Sequence, residues 1–154
     1  MNETKGTDDM STLLEGLQRV ARGEAPQPPI AALLGLRLTV AEAGRAVVEF
    51  EATGSHANPL GTLHGGVLCD LADLAMGCAY AASLGEGETF TTLEMKINFL
   101  RPIWNATLRA EARVVKGGRT VGLVECDVTD SHEQLVARAS TTCMTLRGEA
   151  AKGR

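Results

Sequence analysis

Residues 58–66 read NPLGTLHGG, and residues 67–83 read VLCDLADLAMGCAYAAS. The first piece is a sharply bent loop, because Gly, Pro and Asn favour the backbone angles of turns. The second piece has the length of a helix and is apolar almost all round, which is typical of a buried helix. Asp70 and Asp73 nevertheless lie three residues apart on one face of it. Carboxylates are seldom buried without a partner or a function, so this helix is a candidate active-site element.

Alternating apolar and polar residues predict six strands around this helix. Two strands precede it and four follow, at residues 36–40, 46–50, 92–99, 106–114, 124–128 and 134–146. Gly117-Gly118 indicates a hairpin between the fourth and fifth strands. Near the start of the chain, Thr12 and Glu15 fit a capping box for a short amphipathic helix at 11–22, and a helical turn is expected at 30–34.

The order of these elements predicts an α+β fold. Strands with one apolar and one polar face, joined by tight turns, form a single antiparallel sheet, and that sheet can bury the helix by curling around it. We expect one domain over residues 30–147. Residues 1–29 are expected to form a tail with the short amphipathic helix, and residues 148–154 a loose tail. Residues 1–10 are polar and are expected to be disordered.

The composition limits the possible functions. A chain of 154 residues forms one ordinary domain, and a net charge of −4 without a basic block argues against nucleic acid as a partner. The N-terminus lacks the apolar core of a secretory signal, and no apolar run reaches ~20 residues, so we expect a cytoplasmic protein without a membrane partner. The cysteines lack metal-site spacing and are expected to be buried apolar residues. They are Cys69, Cys78, Cys126 and Cys143.

Several pieces of the sequence occur together in the order of a known family. Asn58 lies six residues before His64, the turn His64-Gly65-Gly66 follows, and Asp73 lies nine residues after that histidine. Residues 92–102 (TLEMKINFLRP) and 116–120 (KGGRT) come later. Together they resemble the hotdog-fold thioesterases of the phenylacetic-acid-degradation type, the PaaI-like acyl-CoA thioesterases. The resemblance covers roughly residues 30 to 147.

This resemblance implies a single hotdog domain, in which an antiparallel curved sheet wraps around one long central helix. It also implies a homo-oligomer, at least a dimer with joined sheets and an active site at the interface, and a dimer of dimers is expected. The implied reaction is hydrolysis of an acyl-CoA thioester to a free acid and CoA, without metal or cofactor. The acyl group, the tetramer arrangement and the use of a carrier-protein thioester instead of CoA stay open.

Asp73 is the residue to which we assign the chemistry. Thioester hydrolysis needs a base that takes a proton from water, or a carboxylate that attacks the carbonyl itself, and these two roles stay open. An aspartate with an ordinary pKa of about 3.9 is ionised at neutral pH, and partial burial raises its basicity. Asp70 is the competing acid, with a helix-surface or interface contact as its alternative role.

The loop before the helix supplies three further candidates. Gly65 is expected to polarise the thioester carbonyl with its N–H, because unpaired N–H groups and the helix dipole meet at a helix N-terminus. Asn58 either orients a water or the thioester, or is an ordinary turn residue. His64 either contacts the leaving thiol or holds the loop.

Thr92 matches the hydroxyl that the family places near the attacking water. Strand alternation, however, puts Thr91 rather than Thr92 on the same side as Leu93 and Met95. A bulge at the start of the strand would resolve this conflict. The choice between the two threonines therefore stays open.

The hairpin at 116–120 is the expected site for the phosphates of CoA. The guanidinium of Arg119 and the hydroxyl of Thr120 are suited to phosphate oxygens, and Lys116 adds a charge next to the turn at Gly118. The alternative for each is a solvated hairpin tip.

Two other functions compete with hydrolysis. The first is a hotdog module that binds acyl-CoA without turning it over, although such a module has no need of Asp73. The second is a hydratase acting on enoyl thioesters, which pairs an Asp with a catalytic His inside one motif. His64 does not stand in that relation to Asp73.

Overall fold

The computed structural model describes residues 12–153. Its helices are α1 (Leu13–Ala21), α2 (Pro29–Leu34) and α3 (Gly65–Ala81). Its strands are β1 (Leu36–Glu42), β2 (Arg45–Ala52), β3 (Thr89–Phe99), β4 (Ala106–Gly117), β5 (Val121–Asp130) and β6 (Leu135–Leu146). Short 3-10 turns occur at Gly54–His56 and Gly148–Ala151. The predicted order of elements is confirmed, whereas the disorder expected for residues 1–10 lies outside the described residues.

The six strands form one sheet in the order β1-β2-β4-β5-β6-β3, and every neighbouring pair is antiparallel. Helix α3 contacts all six strands. This arrangement confirms the predicted α+β fold, an antiparallel sheet wrapped around one long helix. Within this sheet β1 and β3 are the edge strands, each with a single partner.

Small side chains let α3 approach the sheet closely. The helix presents alanines to the sheet, and the sheet presents alanines in return, all of them buried. Those of the helix are Ala72, Ala75 and Ala79; those of the sheet are Ala46, Ala110, Ala112, Ala137 and Ala139. Because a packed interior has few voids, larger residues on either surface would push the two layers apart.

The sheet covers only one side of α3. That side carries the fully buried residues, among them Leu71, Ala75 and Met76. Asp70 and Asp73 lie on the opposite side and are exposed within one chain. The predicted burial of this helix therefore holds within one chain for the side that faces the sheet, and Asp70 and Asp73 lie on the other side.

Helix α1 packs against β1 and α3. Thr12 and Glu15 form the predicted capping box: Thr12 N–H donates to Glu15 Oε2 (3.0 Å), and Glu15 N–H donates to Thr12 Oγ1 (3.3 Å). Leu17 and Val20 lie against the core.

The domain limits at 30 and 147 stay a prediction.

Bulges interrupt the alternation in several strands. In β3 the register shifts between Thr92 and Glu94, so Leu93 is the extra residue and is 53% exposed. The expectation that Leu93 shares the inner face with Met95 was therefore wrong. A bulge inserts one unpaired residue and reverses the side on which the preceding residues lie.

Tyr80 occupies space that Gly122 leaves empty. The phenol of Tyr80 is buried and lies 2.8 Å from Thr145 Oγ1, and its ring meets Phe90 edge-on at 5.5 Å between centroids. A Cβ on Gly122 would lie 2.3 Å from Tyr80 Cε2. Glycine at this position therefore permits the Tyr80–Thr145 contact.

Gly122→Ala should lower the free energy of unfolding by about 1–3 kcal/mol, because the ring must shift and the buried hydroxyls separate. Urea denaturation measures this change. Gly16→Ala is the matched control: no neighbouring atom lies within 4 Å of its added Cβ, and alanine is favoured over glycine inside a helix by ~0.5–1 kcal/mol. Equal stability of the Gly122→Ala variant and the wild type would contradict this account.

Candidate active site

Asn58 holds the loop before α3 in a tight turn. Its Oδ1 accepts from the N–H groups of Leu60 (2.9 Å) and Thr62 (3.3 Å), and its Nδ2 donates to Thr62 Oγ1 (2.9 Å). Gly61 completes the turn with φ of 84°, a conformation that favours glycine. These contacts match the turn interpretation of Asn58. One Nδ2 hydrogen remains available for another acceptor.

His64 caps the N-terminus of α3. Its Nδ1 accepts from the N–H of Gly66 at 2.8 Å, and its own N–H donates to the carbonyl of His56 at 2.9 Å. A Cβ on Gly66 would lie 2.9 Å from the same Nδ1, so this cap needs glycine. The geometry corresponds to the loop-holding role; the contact with a leaving thiol stays a prediction.

The N–H of Gly65 is the free donor at this helix end. Within residues 12–153 no acceptor is bound to it, whereas the cap satisfies its neighbour. The ring of Phe99 lies 3.1 Å from the position of a Cβ on Gly65, so a larger residue would press on that ring. Asn58, Gly65, Phe99 and Arg101 line a cleft of about 350 Å³. An acceptor placed there meets an unpaired N–H and the positive end of the helix dipole.

Asp73 lies in a second, mostly apolar cavity of about 300 Å³. Its polar lining residues are Asp73 and Thr92, and its other lining residues are Leu17, Leu74, Gly77, Cys78, Ala81 and Phe90. Although the Asp73 side chain is exposed, these apolar neighbours remove part of its hydration. Burial, and secondarily the charge of Asp70, raise the pKa of Asp73 above its ordinary 3.8. A carboxylate in this setting is a stronger base than one in water.

The bulge in β3 decides which threonine faces Asp73. Thr92 pairs with the buried Cys143, and Thr91 pairs with Met144. Because paired residues share a face, Thr92 lies on the inner side and Thr91 on the outer side. The bulge that the sequence required is present, and Thr92 lines the cavity with Asp73. Its catalytic role stays a prediction.

Within one chain, the structure does not bring Gly65 and Asp73 together. They lie in different cavities and are eight residues apart on α3, which corresponds to about 12 Å along the helix axis. One small reacting group therefore cannot contact both from the same chain.

The hairpin between β4 and β5 carries the predicted phosphate residues. Lys116, Gly118, Arg119 and Thr120 are all exposed. A Cβ on Gly118 would lie 2.4 Å from the Val121 carbonyl, so the turn requires glycine. The Thr120 carbonyl accepts from Thr145 N–H, and Thr145 pairs with Phe90. The hairpin thus lies at the same end of the sheet as the Asp73 cavity, about 10 Å from β3 by two strand spacings.

Lys116 and Arg119 differ from most other Lys and Arg residues in their ion pairing. Among the described residues, Lys116 and Arg119 form no ion pair. Arg147, a weaker candidate, is held by Glu88 at 2.6 Å. Over residues 12–153 no His, Cys, Asp and Glu side chains gather in a group able to hold a metal ion. In the same range, no helix is both long and apolar enough to cross a membrane.

Most lining residues of the Asp73 cavity were not identified as site residues in the sequence, and Leu17 and Gly77 are among them. Gly77 follows Asp73 by four residues and so shares its helix face, which the spacing could have indicated. Leu17 comes from α1, and nothing in the sequence shows that α1 packs beside Asp73.

The antiparallel sheet around one helix, with a capped glycine turn and a carboxylate on that helix, defines the class of hotdog-fold thioester hydrolases. A family model for the thioesterase superfamily matches residues 60–137, and the chain belongs to this superfamily. The resemblance to the PaaI-like enzymes is confirmed.

Individual relatives agree with this assignment. The chain is 31% identical to the 1,4-dihydroxy-2-naphthoyl-CoA hydrolase of Listeria monocytogenes, over 71% of this chain and 89% of the other. Among solved structures, a phenylacetic acid degradation-related protein from Ralstonia eutropha JMP134 is 35% identical with a TM-score of 0.74, covering 83% of this chain and 98% of the other. The PaaI protein of E. coli is 26% identical with a TM-score of 0.77, covering 89% and 98%.

The raised pKa of Asp73 has a consequence for stability. The folded chain binds this proton more tightly than the unfolded chain, so the free energy of unfolding falls as pH rises from about 3.8 through the raised pKa. Asp73→Asn removes this loss, because an amide stays neutral. We expect the variant to unfold at a higher temperature than the wild type at neutral pH, and the two to converge at acid pH where Asp73 is protonated.

Thermal unfolding followed by circular dichroism over this pH range measures the effect. Glu86→Gln, which changes an exposed carboxylate in the loop after α3, is the control and should follow the wild-type curve. A lower unfolding temperature of Asp73→Asn at neutral pH would contradict the interpretation.

Proposed function

We propose that this chain is an acyl-CoA thioesterase that releases a free acid and CoA, with Asp73 as its general base or nucleophile. The observation that carries the proposal is the carboxylate of Asp73 in an apolar cavity beside the hydroxyl of Thr92. A CoA thioester is the substrate type named for the Listeria relative. The apolar cavity suits the acyl part of such a molecule.

We place the complete site between two subunits. Gly65 of one chain and Asp73 of the same chain are too far apart to act on one carbonyl, but a symmetric dimer can bring Gly65 of one subunit to Asp73 of the other. The edge strand β3 supports this arrangement, since its outer side has unpaired backbone groups and can join a second copy. A further association of two dimers into a tetramer is part of the same proposal.

In this arrangement the free N–H of Gly65 donates to the thioester carbonyl oxygen. Negative charge develops on that oxygen as the tetrahedral intermediate forms, and one such donor is worth ~10²–10³ in rate. Asn58 lines the same cleft and can donate its remaining amide hydrogen to the substrate or to water. His64 keeps the donor in place by capping the helix.

Asp73 either activates the attacking water or attacks the carbonyl carbon itself. As a base it takes a proton from water while the oxygen attacks the carbonyl carbon; the C–S bond then breaks, and the sulfur leaves with a proton as the CoA thiol. As a nucleophile it would form a mixed anhydride with release of the thiol, and water would then cleave the anhydride. Thr92, which lines the same cavity, holds the water in either route of this proposal.

The nucleotide end of CoA is assigned to the hairpin at 116–120. Lys116 and Arg119 present charges that no described carboxylate neutralises, and Thr120 adds a hydroxyl. Phosphate oxygens accept strongly from such donors. The hairpin and the Asp73 cavity lie at one end of the sheet, so a single CoA thioester can span them.

Asp73→Asn should abolish turnover while keeping the fold, because the amide can neither take the proton nor attack the carbonyl. Release of free thiol from a panel of acyl-CoA esters measures this. Asp70→Asn is the matched control, since it changes a carboxylate on the same helix that does not line the cavity. We expect it to retain activity.

Undiminished thiol release by Asp73→Asn would sink the assignment of that residue. Binding of intact acyl-CoA by the wild type without any thiol release would instead favour the non-catalytic binding module. Isothermal titration with the same esters distinguishes the two results.

Gly65→Pro tests the N–H directly. Proline removes this one donor, yet it is well tolerated at the first position of a helix, and His64 before it already has an extended ψ of 130°. We expect a loss of ~10²–10³ in turnover. Gly65→Ala is the control: it makes the same approach to Phe99 but keeps the N–H, and it should lose far less.

The Gly65→Pro variant also tests whether two subunits share each active site. Asp73→Asn and Gly65→Pro chains, refolded together, should regain about a quarter of wild-type activity, because half of the dimers are mixed and each mixed dimer holds one intact site. Activity that stays absent in the mixture, with mixed dimers confirmed by mass spectrometry, would place the site within one chain.

A further inference from the structure

Helix α1 provides a wall of the Asp73 cavity. The other lining residues, from Asp73 to Thr92, all fall inside the segment matched by the superfamily model, residues 60–137. Leu17 is the one lining residue of the described chain that lies outside it. It is partly buried against the core, on a helix that contacts β1 and α3. Helix α1 therefore contributes to the cavity from outside the segment that the superfamily model matches.

Gly77 contributes no side chain to the lining of the cavity. It lies one helical turn after Asp73, and a Cβ there would be 3.5 Å from Phe90 Cζ, an ordinary contact distance. Phe90 itself is held edge-on by the buried Tyr80. The missing side chain at Gly77 therefore creates space beside the carboxylate, and a firmly placed aromatic ring bounds that space.

The chemistry of the cavity limits what it can hold. Within one chain it is a mostly apolar hollow of about 300 Å³ that is open to solvent on one side. Among the described residues of one chain, no cation lines it, and Asp73 is its one charged lining residue. A carboxylate on the acyl group would be repelled by Asp73 and by nearby Asp70 and would meet no cation from the same chain in the cavity.

We propose that this cavity accepts an uncharged hydrocarbon acyl group, and that Leu17 and Gly77 set the length it accepts. This inference rests on the proposed thioesterase function and adds the substrate class and two specificity-determining residues. The Leu17 side chain, which comes from α1, bounds the cavity, and the absence of a side chain at Gly77 leaves space for the acyl group.

The test is the ratio of kcat/KM between thioesters of different length, measured by thiol release from butanoyl-, octanoyl- and dodecanoyl-CoA. Leu17→Ala should raise the dodecanoyl-to-octanoyl ratio about tenfold, and Gly77→Val should lower the octanoyl-to-butanoyl ratio about tenfold, since one or a few methylene groups are worth that much in a pocket. A ratio is insensitive to a general loss of activity.

Leu13→Ala is the matched control for α1, because Leu13 is 42% exposed and does not line the cavity; its ratios should equal those of the wild type. Gly77→Ala adds one methyl group at an ordinary contact distance and should shift the ratio in the same direction if Gly77→Val does not fold. Phenylacetyl-CoA, compared with octanoyl-CoA, separates a ring from a straight chain as the preferred hydrocarbon.

Unchanged ratios in both Leu17→Ala and Gly77→Ala, with wild-type folding, would overturn the roles of these residues. Hydrolysis of succinyl-CoA as fast as butanoyl-CoA would overturn the exclusion of charged acyl groups. If the wild type hydrolyses none of these thioesters, the proposed function itself fails, and that result is distinct from an active enzyme with unchanged selectivity.

Discussion

The close contact between α3 and the sheet is the constraint on which the rest of the molecule depends. Alanines on both surfaces, such as Ala75 on the helix and Ala110 on β4, let the backbones approach. Because a protein interior is close-packed, the helix has one position along the strands. That position places Gly65 beside the end of β3 and Asp73 beside its beginning.

The side of α3 that the sheet leaves uncovered carries the chemistry. Asp73 lies there, where burial beside apolar residues removes part of its hydration and raises its pKa. Residues outside the reaction support the site by packing. The ring of Tyr80 contacts Phe90 edge-on, and the absence of a side chain at Gly122 leaves space for Tyr80. Because one side of α3 packs on the sheet and the other side is uncovered, the same helix forms the centre of the core and one wall of the Asp73 cavity.

Much of the fold followed from local sequence patterns, because alternation and turn residues act over a few positions. The inner faces of β2, β4 and β5 and the position of α3 were predicted in this way. The side on which Leu93 lies was not, because a bulge depends on pairing with β6, which local alternation does not contain. Asp73 and Gly65 were identifiable by their motif, but their separation into two cavities, and the approach of Leu17 from α1, arise only from packing.

The extra residue in β3 works as a phase shift within a periodic pattern. Residues before Leu93 and residues after it keep the same two-residue period, but the two halves are offset by one position. A linear alignment of this strand with a relative that lacks the insertion would therefore pair Thr91 with an inward hydroxyl and Thr92 with an outward one. Equivalent functional groups in such chains must be matched by the face on which they lie: here the motif that begins at Thr92 selects the inward residue, whereas plain alternation selects Thr91.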